Sequence, residues 1–138
     1  MKKTSWNFTK KIEDMTAEEL KDRVEQGYNH IMPTISPIPY VGTKKAIVRY
    51  IYPELTALCP MTGIQDLYTL TIEFSPDSFV PELKSFKFYL LAYKDLPISH
   101  EHLASKIEKE FCDVIKPSNI KLDLDTAVRG GIKTIINI

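Results

Sequence analysis

The segment LYTLTIEF, residues 67–74, decides the fold of this 138-residue chain. From Tyr68 to Phe74 apolar and polar side chains alternate, which is the pattern of a β-strand with one buried face and one exposed face. The apolar face consists of Tyr68, Leu70, Ile72 and Phe74. The polar face consists of Thr69, Thr71 and Glu73. The segment therefore predicts a strand that is buried on one side.

Regular elements precede and follow this strand. A β-branched and aromatic run predicts another strand over residues 46–52. Apolar residues at helical spacing predict helices over residues 83–94 and 100–115, the second of them capped by Ser99. Strict alternation predicts a strand over residues 120–128, after which Gly130 and Gly131 turn the chain into a last strand over residues 132–138. The order strand, strand, helix, helix, strand, strand indicates an α+β fold.

The first forty residues differ from the rest. Thr16 and Glu19 have the spacing of a capping box, and apolar residues at helical spacing follow them, so a helix is predicted over residues 17–30. Three prolines and a glycine within residues 33–42 predict an extended connector. We therefore divide the chain into an N-terminal extension, residues 1–43, and a domain, residues 44–138. Within the domain, residues 53–66 are predicted to form a long loop of the kind that carries function.

Length and charge exclude several classes of function. The chain carries 18 basic and 18 acidic side chains, so it lacks the cationic excess of a general nucleic-acid-binding protein. Its length leaves no room for a separate nucleotide-binding domain. Charged residues interrupt the first fifteen positions where a signal peptide needs an apolar core, and no segment is apolar enough to span a membrane. We expect a cytoplasmic protein with reduced cysteines that binds a small molecule or a protein partner.

Cys59 is the leading candidate for chemistry. It lies in LCPMTG, residues 58–63, where Pro60 and Gly63 restrict the backbone around the thiol. A partly exposed thiol in such a setting can be activated as a nucleophile, although a half-buried cysteine without chemistry shows the same pattern. Asp66 follows seven residues later. Its carboxylate could move protons for the thiol, or it could cap the next strand.

His100 and Glu101 begin the second helix of the domain. A carboxylate in the first turn is favoured by the helix dipole, which accounts for Glu101 without any function. The same pair could also hold a planar ligand. A carboxylate accepts two parallel N–H bonds from a guanine-like edge, and an imidazole can donate or accept beside it.

Metal and phosphate sites find no support in the pattern. The spacings of Cys59, Cys112, His100 and His102 do not match those of zinc ligands, and Cys112 falls within an amphipathic helix. Gly130 and the glycine after it lack the surroundings of a phosphate-binding loop. We therefore expect no metal and interpret the glycine pair as a turn.

Three blocks of sequence resemble, in the same order, the motifs of the 7-cyano-7-deazaguanine reductases, the QueF-type nitrile reductases of queuosine biosynthesis. The first block is PELTALCPMTG, residues 53–63, together with Asp66. The second is ELKSFKFY, residues 82–89, and the third is Ser99-His100-Glu101. Arg129 and the glycine that follows support the match. The resemblance spans roughly residues 46–136.

This resemblance implies a tunnelling fold. In such a fold the two strand pairs form one four-stranded antiparallel sheet, and the two helices cover one of its faces. In this family, subunits join through their edge strands into pentameric rings, often stacked as decamers, with active sites between subunits. The resemblance therefore implies a homo-oligomeric barrel for this chain, which would also leave no strand edge exposed.

The resemblance also implies a role for each candidate residue. Cys59 would attack the nitrile of 7-cyano-7-deazaguanine to form a covalent thioimide, and Asp66 would donate and accept protons. Two hydrides from NADPH would then yield the 7-aminomethyl product. Glu101 would bind the base with His100 beside it, and His100 would assist proton movement. The remaining implied contacts are Pro81, Glu82 and Leu83 to the base, and Lys84, Ser85, Lys87 and Arg129 to NADPH.

The chain departs from the family pattern in two places, and other functions stay open. Residues 63–67 read GIQDL where the family has GQPDF, and Val128 stands where proline is common. One alternative is an archaeal-type enzyme that uses the same cysteine and aspartate to add ammonia or an amine to the nitrile in tRNA. Another is a purine- or pterin-binding module without chemistry, against which the presence of Cys59 and Asp66 argues. A zinc-dependent cyclohydrolase would need a ligand set that this sequence does not provide. The intact block at residues 82–87 favours reduction, since the archaeal type lacks it.

Overall fold

A computed structural model of the chain describes residues 8–138. Lys2, Lys3 and Trp6, on which the expectation about a signal peptide partly depends, lie outside the described residues. Within residues 8–138, no helix combines the length and the apolar character needed to cross a membrane.

Residues 8–138 fold into strands and helices in the predicted α+β order. The strands are β1 (Pro37–Pro39), β2 (Val48–Leu58), β3 (Gln65–Ser75), β4 (Phe79–Pro81), β5 (Asn119–Thr126) and β6 (Ile135–Asn137). The helices are α1 (Ala17–Tyr28), α2 (Leu83–Leu91) and α3 (His100–Ile115), with short 3-10 helices at Ile12–Asp14 and Ala92–Asp95. One antiparallel sheet has the strand order β2-β3-β5-β6, and β1 pairs with β4 in a second sheet. The four-stranded antiparallel sheet is confirmed, and its closure into an oligomeric barrel stays a prediction.

The core lies between the apolar face of β3 and the helices. The residues predicted to face inward are buried: Tyr68, Leu70, Ile72 and Phe74. Phe111 of α3 packs edge-on against Phe74, with ring centroids 5.1 Å apart. Phe86 of α2 lies 5.6 Å from the same Phe111 ring. Both helices therefore cover one face of the sheet, because that face presents its apolar residues at every second position.

The predicted loop over residues 53–66 is wrong. β2 continues past Tyr52 to Leu58, so only residues 59–64 connect it to β3. The register shifts between Tyr52 and Leu55. A bulge there accommodates Pro53, which has no N–H for the ladder, without ending the strand. Asp66 therefore lies inside β3 and not ahead of it.

The C-terminal hairpin is shorter than predicted. Gly130 and Gly131 turn the chain with φ angles of 58° and 80°, so the predicted turn is confirmed. However, β5 ends at Thr126 and β6 covers only three residues. Arg129 and Ile132 form a tight bridge of their own on either side of the glycines. Ile132, which was predicted to begin the last strand, therefore belongs to this small turn, and the strand begins only at Ile135.

The N-terminal segment packs onto the sheet domain. The capping box of Thr16 and Glu19 is confirmed, and α1 ends at Tyr28. The connector is extended as predicted, but it also forms β1, which pairs with β4, and Ile35 beside it is 1% exposed. At Gly27 a Cβ would stand 2.3 Å from the Pro97 carbonyl oxygen, so the close approach of α1 needs glycine there. The division at residue 43 stays a prediction.

Candidate active site

Three segments of the chain meet where β2 turns into β3. The carbonyl oxygen of Leu58 accepts from the Ile98 N–H at 2.9 Å, and the Leu58 N–H donates to the Leu96 carbonyl oxygen at 3.0 Å. This short parallel pairing holds the segment before α3 against the end of β2. The N-terminus of α3 therefore lies beside the turn at residues 59–64. The first and third blocks of the sequence come together in this way within one chain.

Cys59 is the first residue after β2 and is half-buried. Its N–H donates to the Ile64 carbonyl oxygen at 2.8 Å, and its own carbonyl oxygen accepts from the Gly63 N–H at 2.9 Å. Gly63 has a φ of 73°, a conformation that glycine adopts without strain. From the other side, Arg23 of α1 donates to the Pro60 carbonyl oxygen at 3.0 Å. The backbone around the thiol is thus held by contacts within the turn and from α1.

Cys59 and Asp66 are diagonal neighbours across the strand pair. Cys59 stands opposite Ile64 through its hydrogen bond, and Ala57 stands opposite Asp66. Diagonal neighbours on one face of an antiparallel pair have Cα atoms about 7 Å apart, within reach of each other's side chains. Asp66 is 5% exposed. Both groups also act on the pKa of Tyr68, so the thiol and the carboxylate that the sequence predicted to act together share a neighbour.

Asp66 is ion-paired with Arg129. A second nitrogen of the same guanidinium lies 3.5 Å from the Gln65 carbonyl oxygen. A buried carboxylate needs a charged or hydrogen-bonding partner, and Arg129, which is itself partly exposed, supplies it. The family resemblance implied a contact between Arg129 and NADPH. In the structure its guanidinium contacts the carboxylate beside Cys59.

Tyr68 belongs to this site, although the sequence analysis assigned it only to the core. Its hydroxyl lies 2.7 Å from Nδ1 of His100. The two rings also pack edge to face, with centroids 5.4 Å apart. The signal was present in the sequence, because a tyrosine on the inward face of a strand needs a polar partner for its hydroxyl. Sequence alone did not identify that partner.

Several charged groups lie close enough to Tyr68 to change its pKa. Burial raises the pKa of Tyr68 well above its usual range. Negative charge on three neighbours raises that pKa further, and one cation lowers it. The three are Asp66, Cys59 and Glu101, and the cation is Arg129. We call this group, together with Tyr68 and His100, the thiol site.

Glu101 and His102 follow His100 in the first turn of α3 but point to different environments. Glu101 is exposed. Nδ1 of His102 instead lies 2.5 Å from the Ser99 hydroxyl oxygen, at hydrogen-bond distance. The His102 ring packs edge-on against Tyr28 of α1. Ser99 does precede the helix as predicted, but its hydroxyl contacts this ring and makes no capping bond to the backbone.

The block at residues 82–87 begins with a helix cap. The Glu82 carboxylate accepts from the Lys84 N–H at 2.6 Å and the Ser85 N–H at 2.9 Å. These backbone N–H bonds lower the pKa of Glu82. The Ser85 hydroxyl accepts from the Ser36 N–H at 2.9 Å. Glu82 and Ser85, predicted to contact ligands, therefore hold the start of α2 and attach it to the N-terminal connector.

This block lies at the opposite end of the sheet from Cys59. Phe86 packs against Tyr50, with ring centroids 5.6 Å apart. Tyr50 precedes Cys59 by nine residues along β2, and at about 3.3 Å per residue that stretch of strand spans roughly 30 Å. Of the predicted ligand contacts here, Pro81 is buried, whereas Leu83, Lys84 and Lys87 are exposed. Within one chain the block and the thiol site do not form a single pocket.

Among residues 8–138, no three histidine, cysteine or acidic side chains converge in a way that could hold a metal ion. Cys112 lies on the last turns of α3, where its thiol contacts Glu108. Burial, and then the negative charge of Glu108, raises the pKa of Cys112 to about 11. The two cysteines therefore occupy unlike environments.

The family match and the similar proteins of known name belong to one group of proteins. Residues 65–138 match the protein family described as QueF-like protein. The NADPH-dependent 7-cyano-7-deazaguanine reductase of Elusimicrobium minutum is 35% identical over 116 residues, which cover 84% of this chain and 88% of that protein. The reductase of the same name from Caldicellulosiruptor bescii is 34% identical over 110 residues, covering 78% and 84%. That from Nitrosococcus oceani is 40% identical over 89 residues, covering 64% and 69%.

A solved structure shares the fold. The apo form of the archaeosine synthase QueF-Like superposes with a TM-score of 0.64, covering 70% of this chain and 94% of that one. The two sequences are 20% identical over the superposed part. This likeness supports the tunnelling fold.

Proposed function

The chain belongs to the family of QueF-like proteins, and from that membership we propose that it reduces the nitrile of 7-cyano-7-deazaguanine to an aminomethyl group with NADPH. The relatives named above carry this activity in their names. The observation that carries the proposal is the placement of Cys59 diagonally across from the buried Asp66, beside the N-terminus of α3. A nitrile is inert toward hydride until a nucleophile has added to its carbon, and this arrangement supplies the nucleophile and a proton carrier.

Cys59 acts as the nucleophile. Its thiol loses a proton to the Asp66 carboxylate, and the sulfur forms a C–S bond to the nitrile carbon while one C–N bond of the triple bond breaks. Asp66 then delivers the proton to the nitrogen, which leaves a neutral thioimide. Arg129 holds the carboxylate in place throughout. Cleavage of the C–S bond later returns the thiolate to Cys59, and the complete reaction takes up two hydrides and two protons.

His100 and Glu101 recognise the base. The exposed Glu101 carboxylate can accept the two parallel N–H groups on the edge of a deazaguanine. His100 stands next to it in the same helical turn, with its ring against Tyr68. The positive end of the α3 dipole favours a carboxylate in the first turn of the helix, where Glu101 lies.

The residues of α2 fit the phosphates of NADPH. Lys84 and Lys87 stand one helical turn apart, and both are exposed. Two ammonium groups at this spacing can form charge-assisted bonds to phosphate oxygens. When bound, NADPH supplies the two hydrides that the conversion of a nitrile to an amine requires. Leu83, half exposed beside these lysines, offers apolar surface to the same ligand.

A second copy of the chain completes the site. The lysines of α2 flank Phe86, which packs against Tyr50 near the end of β2 that is farther from Cys59, so the two groups do not line one pocket within a single copy. Subunits that associate side by side bring the α2 block of one copy to the thiol site of the next. The proposed assembly is therefore a homo-oligomer whose active sites lie between copies.

The central experiment follows NADPH oxidation by absorbance after addition of 7-cyano-7-deazaguanine. The wild-type protein is expected to oxidise two NADPH for each nitrile reduced, and Cys59→Ala is expected to oxidise none. Cys112→Ala is the matched control, since it removes the other thiol and should retain activity. Wild-type protein that oxidises no NADPH, or a Cys59→Ala variant that still does, would contradict the proposal.

Intact-mass spectrometry isolates the first chemical step. Mixed with the nitrile alone, the wild-type protein should gain the mass of one ligand, and Cys59→Ala should gain nothing. Addition of ammonia to the nitrile without NADPH oxidation, on a free or tRNA-borne base, would instead support the amidine-forming alternative. Ligand binding without adduct or turnover would support the non-catalytic module.

Mixing two inactive variants tests the shared site. Cys59→Ala keeps the lysines, and the double variant Lys84→Ala, Lys87→Ala keeps the thiol. Co-expressed in equal amounts, they should regain about a quarter of the wild-type activity, because that fraction of interfaces combines an intact thiol site with intact lysines. No recovery from the mixture would show that each site is built from a single copy.

A further inference from the structure

The contact between Tyr68 and His100 determines which ring nitrogen of the histidine is available. The Tyr68 hydroxyl lies 2.7 Å from Nδ1. The tyrosine is 3% exposed, and its ring packs edge to face on the imidazole at an interplanar angle of 74°. Among residues 8–138, His100 makes no other side-chain hydrogen bond, so Nε2 is left for a ligand.

The direction of this hydrogen bond follows from the surroundings of the phenol. Burial and the neighbouring negative charges of Asp66, Cys59 and Glu101 oppose ionisation of Tyr68, so its oxygen keeps its hydrogen. A phenol that keeps its hydrogen can donate it, and the only acceptor within hydrogen-bond distance among the described residues is Nδ1 of His100. A neutral imidazole that accepts at Nδ1 carries its hydrogen on Nε2.

We propose that Tyr68 is a positioning residue that holds His100 as the neutral Nε2–H tautomer, so that the ring offers an N–H donor to the substrate. The proposal deepens the function proposed above and names the base edge that is read. A 2-amino-6-oxopurine edge, as in guanine, presents one carbonyl acceptor beside two N–H donors, one on the ring nitrogen and one on the amino group. An Nε2–H donor from His100 next to the Glu101 carboxylate matches that order. A base with an amino group in place of that carbonyl would point an N–H at the Nε2–H of His100. Two donors would then face each other, so the site would reject that base.

Nitrogen NMR reports the tautomer directly and needs no turnover. The chain has three histidines, so long-range proton–nitrogen spectra are readily assigned, with His30→Gln and His102→Gln identifying the other two rings. In the wild-type protein near neutral pH, His100 is expected to show a bare Nδ1 and a protonated Nε2. In Tyr68→Phe the ring should shift to a mixture of the two neutral tautomers. A protonated Nδ1 in the wild-type protein, or an unchanged spectrum in Tyr68→Phe, overturns the proposal.

Kinetics test the consequence for the substrate. Tyr68→Phe keeps the ring and its packing, and should raise the KM for 7-cyano-7-deazaguanine about tenfold, the size expected for one misdirected hydrogen bond. Tyr52→Phe is the control, because it deletes a phenol hydroxyl on the neighbouring strand and should leave KM unchanged. Thermal unfolding of both variants checks that the fold is kept.

A double variant separates the proposal from a general packing effect. In His100→Gln the side-chain amide can donate without help from Tyr68, so adding Tyr68→Phe to His100→Gln should change KM less than twofold. An additive tenfold loss in that background would contradict the positioning role. If the wild-type protein oxidises no NADPH, the proposed function fails, but the NMR experiment still decides the tautomer.

Discussion

Two groups of polar side chains lie along helix α3, and they differ in how many of their hydrogen-bonding atoms have partners within the protein. The thiol site lies at the N-terminal end of the helix. The other group, which we call the helix cluster, lies beside its central turns. It consists of Tyr89, Tyr93, Lys106 and Glu110.

In the helix cluster the polar atoms find their partners within the protein. Lys106 donates to the carbonyl oxygens of Tyr28 at 2.6 Å and His30 at 2.8 Å, and to Glu110 at 3.2 Å, which uses all three hydrogens of its ammonium group. The other oxygen of Glu110 accepts from Tyr89 at 2.7 Å. A cavity of about 330 Å³ adjoins this cluster, yet the charged side chains at its wall are already paired, Lys106 with Glu110 and Lys109 with Asp113.

In the thiol site, by contrast, hydrogen-bonding capacity is left over. The buried Thr126 hydroxyl, opposite Tyr68 in the sheet, has no hydrogen-bond partner among the described residues. Glu101 is exposed, and within residues 8–138 one ring nitrogen of His100 has no hydrogen-bond partner. Polar groups that satisfy one another stabilise a fold, whereas groups that converge with capacity to spare suit a ligand. A cavity alone does not distinguish the two cases.

The largest expected effect is loss of chemistry without loss of fold. Asp66→Asn should lower kcat for NADPH oxidation about 100- to 10,000-fold, the usual range for removal of a general acid–base group. The melting temperature should change little, since the partly exposed Arg129 can be hydrated when its partner becomes neutral. Steady-state kinetics and thermal unfolding measure the two effects. An Asp66→Asn enzyme with more than a tenth of the wild-type kcat would place Asp66 with the structural groups.

The two cysteines mark the two ends of α3 and should differ strongly in reactivity. With its pKa raised to about 11, Cys112 has only about one thousandth of its thiol ionised at pH 8. Alkylation needs the thiolate, so Cys112 should react with iodoacetamide about 100-fold more slowly than an ordinary thiol and accelerate as the pH approaches 11. Peptide mass spectrometry should find Cys59 labelled first. Labelling of Cys112 ahead of Cys59 at pH 8 would contradict the contrast.

Removing the centre of the helix cluster should cost stability and spare the thiol site. Lys106→Met leaves two carbonyl groups and Glu110 without their partner, which should lower the free energy of unfolding by about 2–3 kcal/mol. Lys109→Met removes an exposed lysine of the same helix that pairs with Asp113, and should cost at most about 0.5 kcal/mol. Chemical denaturation measures both, and the alkylation rate of Cys59 should be the same in both variants. Equal stabilities would show that the cluster is not structural.

The smallest effect concerns the cap of α2, a satisfied carboxylate on the surface. The native pKa of Glu82 lies below its ordinary value near 4.5, so the stability it contributes is complete above that value and is lost as the pH falls through the native pKa. Glu82→Gln should therefore flatten the pH dependence of stability in acid and cause only a small loss at pH 7. Melting temperatures between pH 3 and 7 test this. An unchanged acid profile would mean that the cap contributes nothing.

Much of the fold follows from local pattern, and the errors have identifiable causes. The helices around Phe86 and Phe111 and the alternating strand containing Tyr68 were predicted, because burial of one face leaves a period in the sequence. The loop at residues 53–66 was wrong because Pro53 normally ends a central strand, whereas a bulge in an edge strand absorbs it. The shortened last strand reflects pairing with β5, which no local pattern encodes.

In the candidate site, too, some features could be predicted from the sequence and others could not. Cys59, Asp66, His100 and Glu101 were singled out from residue type, spacing and resemblance. Arg129 was assigned to NADPH, yet it pairs with Asp66, which is 63 residues away in the chain. Tyr68 was assigned to the core alone, although its hydroxyl meets a histidine on another element. Contacts of this length depend on how sheet and helices pack, so composition and spacing do not report them.

The sequence by itself determined the identity of the elements and the family, and it singled out Cys59 as the candidate nucleophile, because periodicity, caps and short motifs are local properties of the chain. Tertiary structure alone decided which groups meet: the pairing of Leu58 with the segment before α3 places His100 beside Cys59, and the register of β3 against β2 sets Asp66 diagonal to the thiol. It also decided that the lysines of α2 lie at the far end of the sheet. The physical reason is that side-chain chemistry is carried by each residue, whereas distance between residues far apart in sequence is set by packing of the whole domain.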